Sequence, residues 1–235
     1  RFSRMDLPCL RTLTQAGGRM EPELTLEFVQ SCASRGIRFY TMYGQTEATA
    51  RISFLDPDYT SEKIGSIGKC IPGGKLELVE LHQSTDFDSE TIGELLYSGP
   101  NVMMGYAGNR LDLSKGDELK GQLRTGDIAT VDNDGFYYIV GRIKRFLKVY
   151  GKRINLDEVE ALLSMQYGSV ACLGFDDNLV IISEGNHQIS DIKRYACRKF
   201  RLNHLGVRII QIAGFPRLSN GKIDYKELEV MIFER

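Results

Sequence analysis

Four short stretches hold side chains whose types and spacing could do chemistry. "YGQTE" (43–47) sets an aromatic ring, a glycine, a hydroxyl and a carboxylate within five residues. Tyr43 could stack on a base, Gly44 would let backbone approach a ligand, Thr46 could bond a phosphate, and Glu47 could hold Mg²⁺. The same letters also suit a strand-to-helix turn, with Thr46 as N-cap and Glu47 in the first turn. In "RTGD" (124–127), Asp127 after a glycine turn could take two ribose hydroxyls, or could bond only within its own turn. "GRIKRFLKVYGKRI" (141–154) gathers six Lys or Arg around two glycines in a chain whose formal net charge is -1. Cations held in fixed positions stabilise negative charge that develops close to them. "SNGK" (219–222) reads locally as an exposed Asn-Gly turn carrying Lys222.

These stretches need elements to hold them. Loosely helical spacing of Leu24, Leu26, Phe28, Val29 and Cys32 predicts a helix over 22–35, and "IRFYTM" (37–42) predicts a strand running into the "YGQTEA" turn. From about 65 to 141 the pattern is short strands with frequent glycine: "GKLELVEL", "GELLYSG", "DIATVD" and "GFYYIVG", with "DNDG" (132–135) as a hairpin connection. Beyond Arg142 a strand is followed by a helix over 156–166, strands "SVACLGF" and "LVIISE", a helix over 190–202 and strand "VRIIQIA". Asn155 and Asp157 are both candidates to cap the first of these helices. A domain boundary is expected near 142–145.

Composition excludes several classes. Hydrophobic residues make up 42% and charged residues 26%, ordinary globular values. No apolar run approaches the roughly 20 residues that span a bilayer, and no signal-peptide pattern opens the chain, so no membrane span and a cytoplasmic location are expected. Five widely spaced cysteines without a CxxC pair argue against a disulfide framework or a zinc site, and the three histidines lack ligand spacing. "GKCIPGGK" (68–75) lacks the Lys-Ser/Thr ending of a phosphate-binding loop, and no G-x-G-x-x-G follows a strand. A pI of about 6.4 argues against nucleic-acid binding.

The order and spacing of "AGG" (16–18), "YGQTE", "GEL" (93–95), "RTGD", "GRIKRFLKVYGKRI" followed by "LDEVE", and "PRLSNGK" (216–222) resemble the adenylate-forming ligase superfamily. That group includes acyl-CoA synthetases, peptide-synthetase adenylation domains and luciferases. The resemblance implies an α/β fold in three parts. Residues 1–64 would end a large α/β domain, 65–143 would form its β-barrel-like subdomain, and 144–235 a small, mobile α+β C-terminal domain. It implies that Gly18, Arg19 and Met20 line the adenine and acyl pocket, although Arg19 and Met20 depart from the Ala-Pro or Glu-Pro frequent there. It implies that Tyr43, with Gly44 beside it, stacks on adenine, that Thr46 bonds the α-phosphate and that Glu47 coordinates Mg²⁺. Asp127 would hold the ribose, Arg142 would contact ribose and phosphate, and Lys144 would be the hinge. Lys148 would act in the second half-reaction, Gly151 would approach the thiol's pantetheine arm, and Lys222 would serve adenylation.

The implied cofactors are ATP or AMP, Mg²⁺, and CoA or a phosphopantetheine thiol. The implied partners are a small-molecule carboxylic acid and, as an alternative acceptor to CoA, an acyl carrier protein. The family's Ser/Thr/Gly-rich loop ending in Lys, which grips the outer phosphates, has no counterpart here, and the chain opens on Arg. The expectation is therefore the C-terminal half of an AMP-forming acid–thiol ligase, inactive by itself, with a non-catalytic remnant that binds a carrier protein or other partner as the alternative.

Overall fold

The computed structural model describes residues 2, 5–79, 92–185, 188–219 and 221–234. His82, His187, Asn220 of "SNGK" and the last two residues of the expected strand "GKLELVEL" lie outside them. The chain forms two compact units, Arg1–Ile143 and Lys144–Arg235.

The first unit opens with β1 (Thr12–Gln15), α1 (Pro22–Ala33), β2 (Arg38–Tyr43), β3 (Ser53–Leu55) and β4 (Lys69–Cys70). These strands form one sheet in the order β1-β2-β3-β4, with β1 and β2 parallel and the other pairs antiparallel. Pro22 starts α1, where its missing N–H costs nothing. The helix buries Cys32 against Ile37 and Phe39, with Phe28, Val29 and Met20 packed around them. Next come β5 (Lys75–Val79), β6 (Ile92–Ser98), β7 (Gln122–Val131) and β8 (Tyr137–Arg142), an antiparallel meander. The barrel-like expectation takes the form of an open four-stranded sheet, and no closed barrel occurs among the described residues. Ala48 and Ile52 share one core with Leu76, Leu95, Tyr97, Leu123 and Ala129, so the two sheets of this unit are packed together.

In the second unit, β9 (Phe146–Val149) and β10 (Lys152–Asn155) form a hairpin where sequence patterning indicated a single strand. It is followed by α2 (Leu156–Tyr167), β11 (Val170–Phe175), β12 (Asn178–Glu184), α3 (Ile189–Phe200), β13 (Val207–Ile212) and α4 (Tyr225–Phe233). Asn155, rather than Asp157, caps α2, its side chain accepting from the Asp157 N–H at 2.9 Å. The sheet order is β11-β12-β13, and α3 makes the crossover between the parallel neighbours β12 and β13.

Both faces of that sheet are buried, which explains the unbroken apolar run of β12. Leu179 and Ile181 pack with α2 and α3 residues such as Leu163 and Ile192. Val180 and Ile182 pack on the other face with Phe215 and Leu228 of α4. No helix among the described residues is long and apolar enough to cross a membrane.

Candidate functional site

The "YGQTE" stretch leaves the end of β2 and enters a short 3-10 turn, Thr46–Ala48. Gln45 occupies the N-cap position and no side chain caps the turn, so Thr46 is not the N-cap that the local reading allowed. Thr49 and Ala50 then adopt left-handed backbone, φ 47° and 69°, doubling the chain back over Gly44. A Cβ on Gly44 would lie 2.5 Å from the Ala50 carbonyl oxygen, so the turn closes only with glycine there. Asn101 fastens the turn: its Nδ2 donates to the carbonyls of Ala48 (2.6 Å) and Arg51 (2.9 Å), and its Oδ1 accepts from the Tyr97 hydroxyl at 2.5 Å. Thr46 is exposed at the head of this turn. Glu47 accepts the Tyr106 hydroxyl on Oε1 at 2.8 Å, a bond that raises the Tyr106 pKa.

Asp127 is the buried centre of the unit's polar residues, 2% exposed. The hydroxyl of Tyr43 donates to its Oδ2 at 2.5 Å and Gln45 Nε2 to the same oxygen at 3.1 Å. Arg142, its cross-strand partner on β8, donates Nε to Oδ1 at 3.0 Å. Gln45 also ties the site to β7 through the Thr125 carbonyl at 2.9 Å. Burial is the main cause of a raised Tyr43 pKa, and the Asp127 charge and hydrogen bond add to it, so Tyr43 is a donor at all working pH values. An ionised carboxylate offers about four acceptor positions. Three are filled here, by two half-buried donors and one donor, Arg142, whose side chain is 66% exposed.

"RTGD" is not a turn between elements. It lies inside the ten-residue strand β7, at a break in register opposite β6. Sequence reasoning saw the Gly-Asp chemistry but could not see the partner strand that turns it into a bulge.

Gly18 and Arg19 are exposed in the loop before α1, and the Gly18 carbonyl accepts from the Gln15 side chain. Met20 faces inward, against the Cys32–Phe39 cluster. In this unit the structure thus brings together Tyr43, Asp127 and Arg142, with Thr46 and Glu47 on the adjoining turn. Gln45, Asn101 and Tyr106 were missed, although Gln45 stood inside a quoted motif.

Lys144 is exposed in a 3-10 turn, Ile143–Arg145, where one unit passes into the next. In the second unit the β9–β10 connection is Tyr150-Gly151 with φ 48° and 81°, the dihedral signs of a type I′ hairpin turn. Two aspartates of the β11–β12 turn hold this hairpin. Asp176 accepts the Lys148 N–H at 2.8 Å, and Asp177 accepts the Tyr150 N–H at 2.5 Å. The Asp177 N–H in turn donates to the Lys148 carbonyl at 2.6 Å. Lys222 is exposed on a turn closed by its own carbonyl, which accepts the Leu218 N–H at 2.9 Å, just before Asp224 caps α4.

The cations of 141–154, which the resemblance implies to be a hinge and nucleotide wall, divide by task. Arg145 is only 16% exposed and donates to Asp157 (2.7 Å), Glu160 (2.5 Å) and the Cys172 carbonyl (2.8 Å), with its guanidinium 4.6 Å from the Tyr225 ring centroid. Glu160 also accepts the Cys172 N–H and the Tyr225 hydroxyl. Lys152 donates to the Phe200 carbonyl, and Arg153 lies 4.4 Å from the Phe146 ring centroid. Burial raises the Glu160 pKa, partly offset by Arg145, while Glu160 and Asp157 more than offset the burial that opposes the Arg145 charge.

Comparison with known proteins bears on this arrangement. Residues 2–107 match the family model of AMP-binding enzymes. The chain is 30% identical over 230 residues to the acyl-CoA ligase clz12 of Cochliobolus lunatus, an overlap of 94% of this chain and 66% of that protein. It is 35% identical over 173 residues to feruloyl-CoA synthase of Amycolatopsis sp., covering 73% of this chain and 34% of that protein. Among solved structures, the anthranilate CoA ligase AuaEII in complex with anthranoyl-AMP matches with TM-score 0.64 and 25% identity, over 98% of this chain and 46% of that one. The o-succinylbenzoate CoA synthetase of Bacillus subtilis, at 23% identity, matches in fold with TM-score 0.65 over 93% and 46%. The chain belongs to the adenylate-forming, AMP-binding superfamily and corresponds to the C-terminal part of these proteins. It spans 66% of the first relative and less than half of the other three.

Proposed function

We propose that the protein to which these residues belong activates a carboxylic acid with ATP, forming an acyl-adenylate, and passes the acyl group to a thiol of CoA or of a carrier protein. The observation that carries this reading is the buried Asp127 carboxylate with Tyr43, Gln45 and Arg142 converging on it, in a chain whose relatives are acyl-CoA ligases. A vicinal diol needs two acceptor positions, so one donor must yield. Arg142, the most exposed of the three, yields most readily and stays at hand for ribose or phosphate.

In the first step a carboxylate oxygen attacks the α-phosphorus and pyrophosphate leaves. Tyr43 supports the adenine, Thr46 bonds the α-phosphate, and Lys222 meets the charge that shifts between acid and phosphate. In the second step a thiol sulfur attacks the acyl carbon, loses its proton and releases AMP. Lys148 and Gly151 serve this half, with Lys144 as the hinge between the two arrangements.

No group of three or more metal-ligating side chains occurs among the described residues. A single carboxylate suits Mg²⁺, which is ordinarily held by one or two carboxylates plus substrate phosphates. Glu47, whose Oε1 accepts the Tyr106 hydroxyl, fits that role. The ion would supply charge neutralisation at the phosphates.

The test is a pyrophosphate-release screen of the full-length protein against a panel of carboxylic acids. Acid-dependent release with AMP as co-product supports the reading, and ADP formation or no release from any acid overturns it.

A further inference from the structure

We propose that Glu94 is a positioning residue for Asp127, clamping the β7 bulge that aims the Asp127 carboxylate. This rests on the reading of Asp127 as the ribose-binding group. Glu94 faces Ile128 and Leu96 faces Arg124, so residues 125–127 of β7 are set against Leu95 alone. Bulges of this kind interrupt the ladder and re-aim a side chain, and they need their own fastenings.

Three are visible. Gly126 takes φ 72°, a left-handed conformation that favours glycine, and its N–H points to Glu94 Oε1 at 3.3 Å. The Thr125 hydroxyl donates to the Leu95 carbonyl at 2.7 Å and accepts the Asp127 N–H at 3.1 Å. Glu94 Oε2 is gripped by both Nε (2.9 Å) and Nη2 (2.8 Å) of Arg124, the last paired residue before the bulge.

Glu94 is 6% exposed on a strand that packs into the core. A carboxylate buried there is desolvated, and a pair replaced on both sides by apolar side chains is often as stable or more so. What the carboxylate adds is geometry. It binds both the guanidinium before the bulge and the amide at its apex, so Asp127, one residue on, stays opposite Arg142 and within reach of Tyr43 and Gln45. Asp132 and Lys63 form another polar cluster on this unit, but none of its contacts reaches Asp127.

The test compares AMP with 2′,3′-dideoxy-AMP, which lacks the diol, by calorimetric titration of this chain. Wild type is expected to prefer AMP by on the order of tenfold or more, the value of hydrogen bonds to a charged group. Glu94→Leu is expected to abolish that preference while dideoxy-AMP binding is retained. Glu94→Gln, whose amide oxygen still accepts the Gly126 N–H, is expected to restore part of it, and it carries the comparison if Glu94→Leu fails to fold. A merely structural Glu94 would leave the ratio unchanged while lowering the melting temperature, and that result overturns the proposal.

If wild type shows no diol preference, the ribose reading fails on its own. The clamp is then judged by the Cζ resonance of ¹³C-labelled Tyr43, which reports its bond to Asp127. A shift in Glu94→Gln in the direction of that in Asp127→Asn sustains the positioning role, and an unmoved resonance overturns it.

Discussion

Replacing Arg145 with methionine should destabilise the second unit heavily without touching ligand chemistry. The substitution keeps an unbranched apolar stem and removes the guanidinium, with its bonds to Asp157, Glu160 and the Cys172 carbonyl and its contact with the Tyr225 ring. Asp157 is half exposed and finds water. Glu160, 14% exposed, keeps only the Cys172 N–H and the Tyr225 hydroxyl for a buried negative charge. Breaking a buried pair from one side typically costs about 3 to 5 kcal/mol. In a unit of roughly a hundred residues each kcal/mol moves the melting temperature by about 4 to 8 °C, so a fall of at least ~12 °C is expected by scanning calorimetry.

Two controls sharpen the test. Adding Glu160→Gln removes the stranded charge and should recover at least half the loss. Glu160 already has a raised pKa from burial, and losing Arg145 raises it further. An acid with a raised folded-state pKa gains stability on protonation and loses it as pH climbs, so the single variant's deficit should be smaller near pH 5 than near pH 8. A variant that melts within a degree or two of wild type, has no coupling to Glu160 and binds nucleotide poorly would refute the structural assignment and return Arg145 to the nucleotide.

Three further outcomes concern Lys63, Gly44 and Lys222. Lys63 bridges Asp132 and Asp134 and holds the Asp132 carboxyl down at about 2; stability from this depressed group is full above its unfolded value near pH 4 and lost as pH falls toward 2. In Lys63→Met that acid-dependent component should shrink to what the Asp134 and Phe136 N–H groups still supply, which acid titration followed by circular dichroism reads directly. Gly44→Ala should lower stability by about 1 to 3 kcal/mol, the cost of overpacking, because its Cβ would meet the Ala50 carbonyl at 2.5 Å; a wild-type urea midpoint would contradict the doubled-back turn. Lys222→Ala in the full-length protein should slow acyl-adenylate formation by about 10² to 10³ and spare thiol transfer from supplied acyl-adenylate; adenylation within a few-fold of wild type would remove Lys222 from that step.

Elements whose apolar pattern is local were legible in the sequence. The helix expected over 22–35 is α1 at Pro22–Ala33, and the one expected over 190–202 is α3 at Ile189–Phe200. The strands "SVACLGF" and "LVIISE" are β11 and β12. What escaped depended on distant partners or on short length. The nine-residue α4 was missed although Asp224 stands three residues before Glu227, a helix-start signal that its side chain fulfils by accepting from the Lys226 and Glu227 N–H groups. The bulge at 125–127 has turn chemistry in its letters, and only pairing with β6 sets it within a strand. Glu94 stood in the quoted "GEL" with no role, because its partners lie 30 and 32 residues away.

A run of charge in sequence likewise says nothing of which cations are buried, since burial is decided by carboxylates elsewhere in the chain. Arg145 meets Glu160 15 residues on, and Glu160 meets Tyr225 65 residues further. Arg142 answers instead to Asp127, 15 residues earlier. Lys152 and Arg153 are engaged by a carbonyl and a ring. Among the described residues neither Lys144 nor Lys148 has a side-chain ion pair. A lysine without a fixed carboxylate keeps its charge available to an incoming anion, whereas a guanidinium locked by two carboxylates has little left to give. Substitution along 141–154 should therefore separate into stability effects at Arg145 and ligand effects at Arg142, Lys144 and Lys148, although all four lie within seven residues of one another.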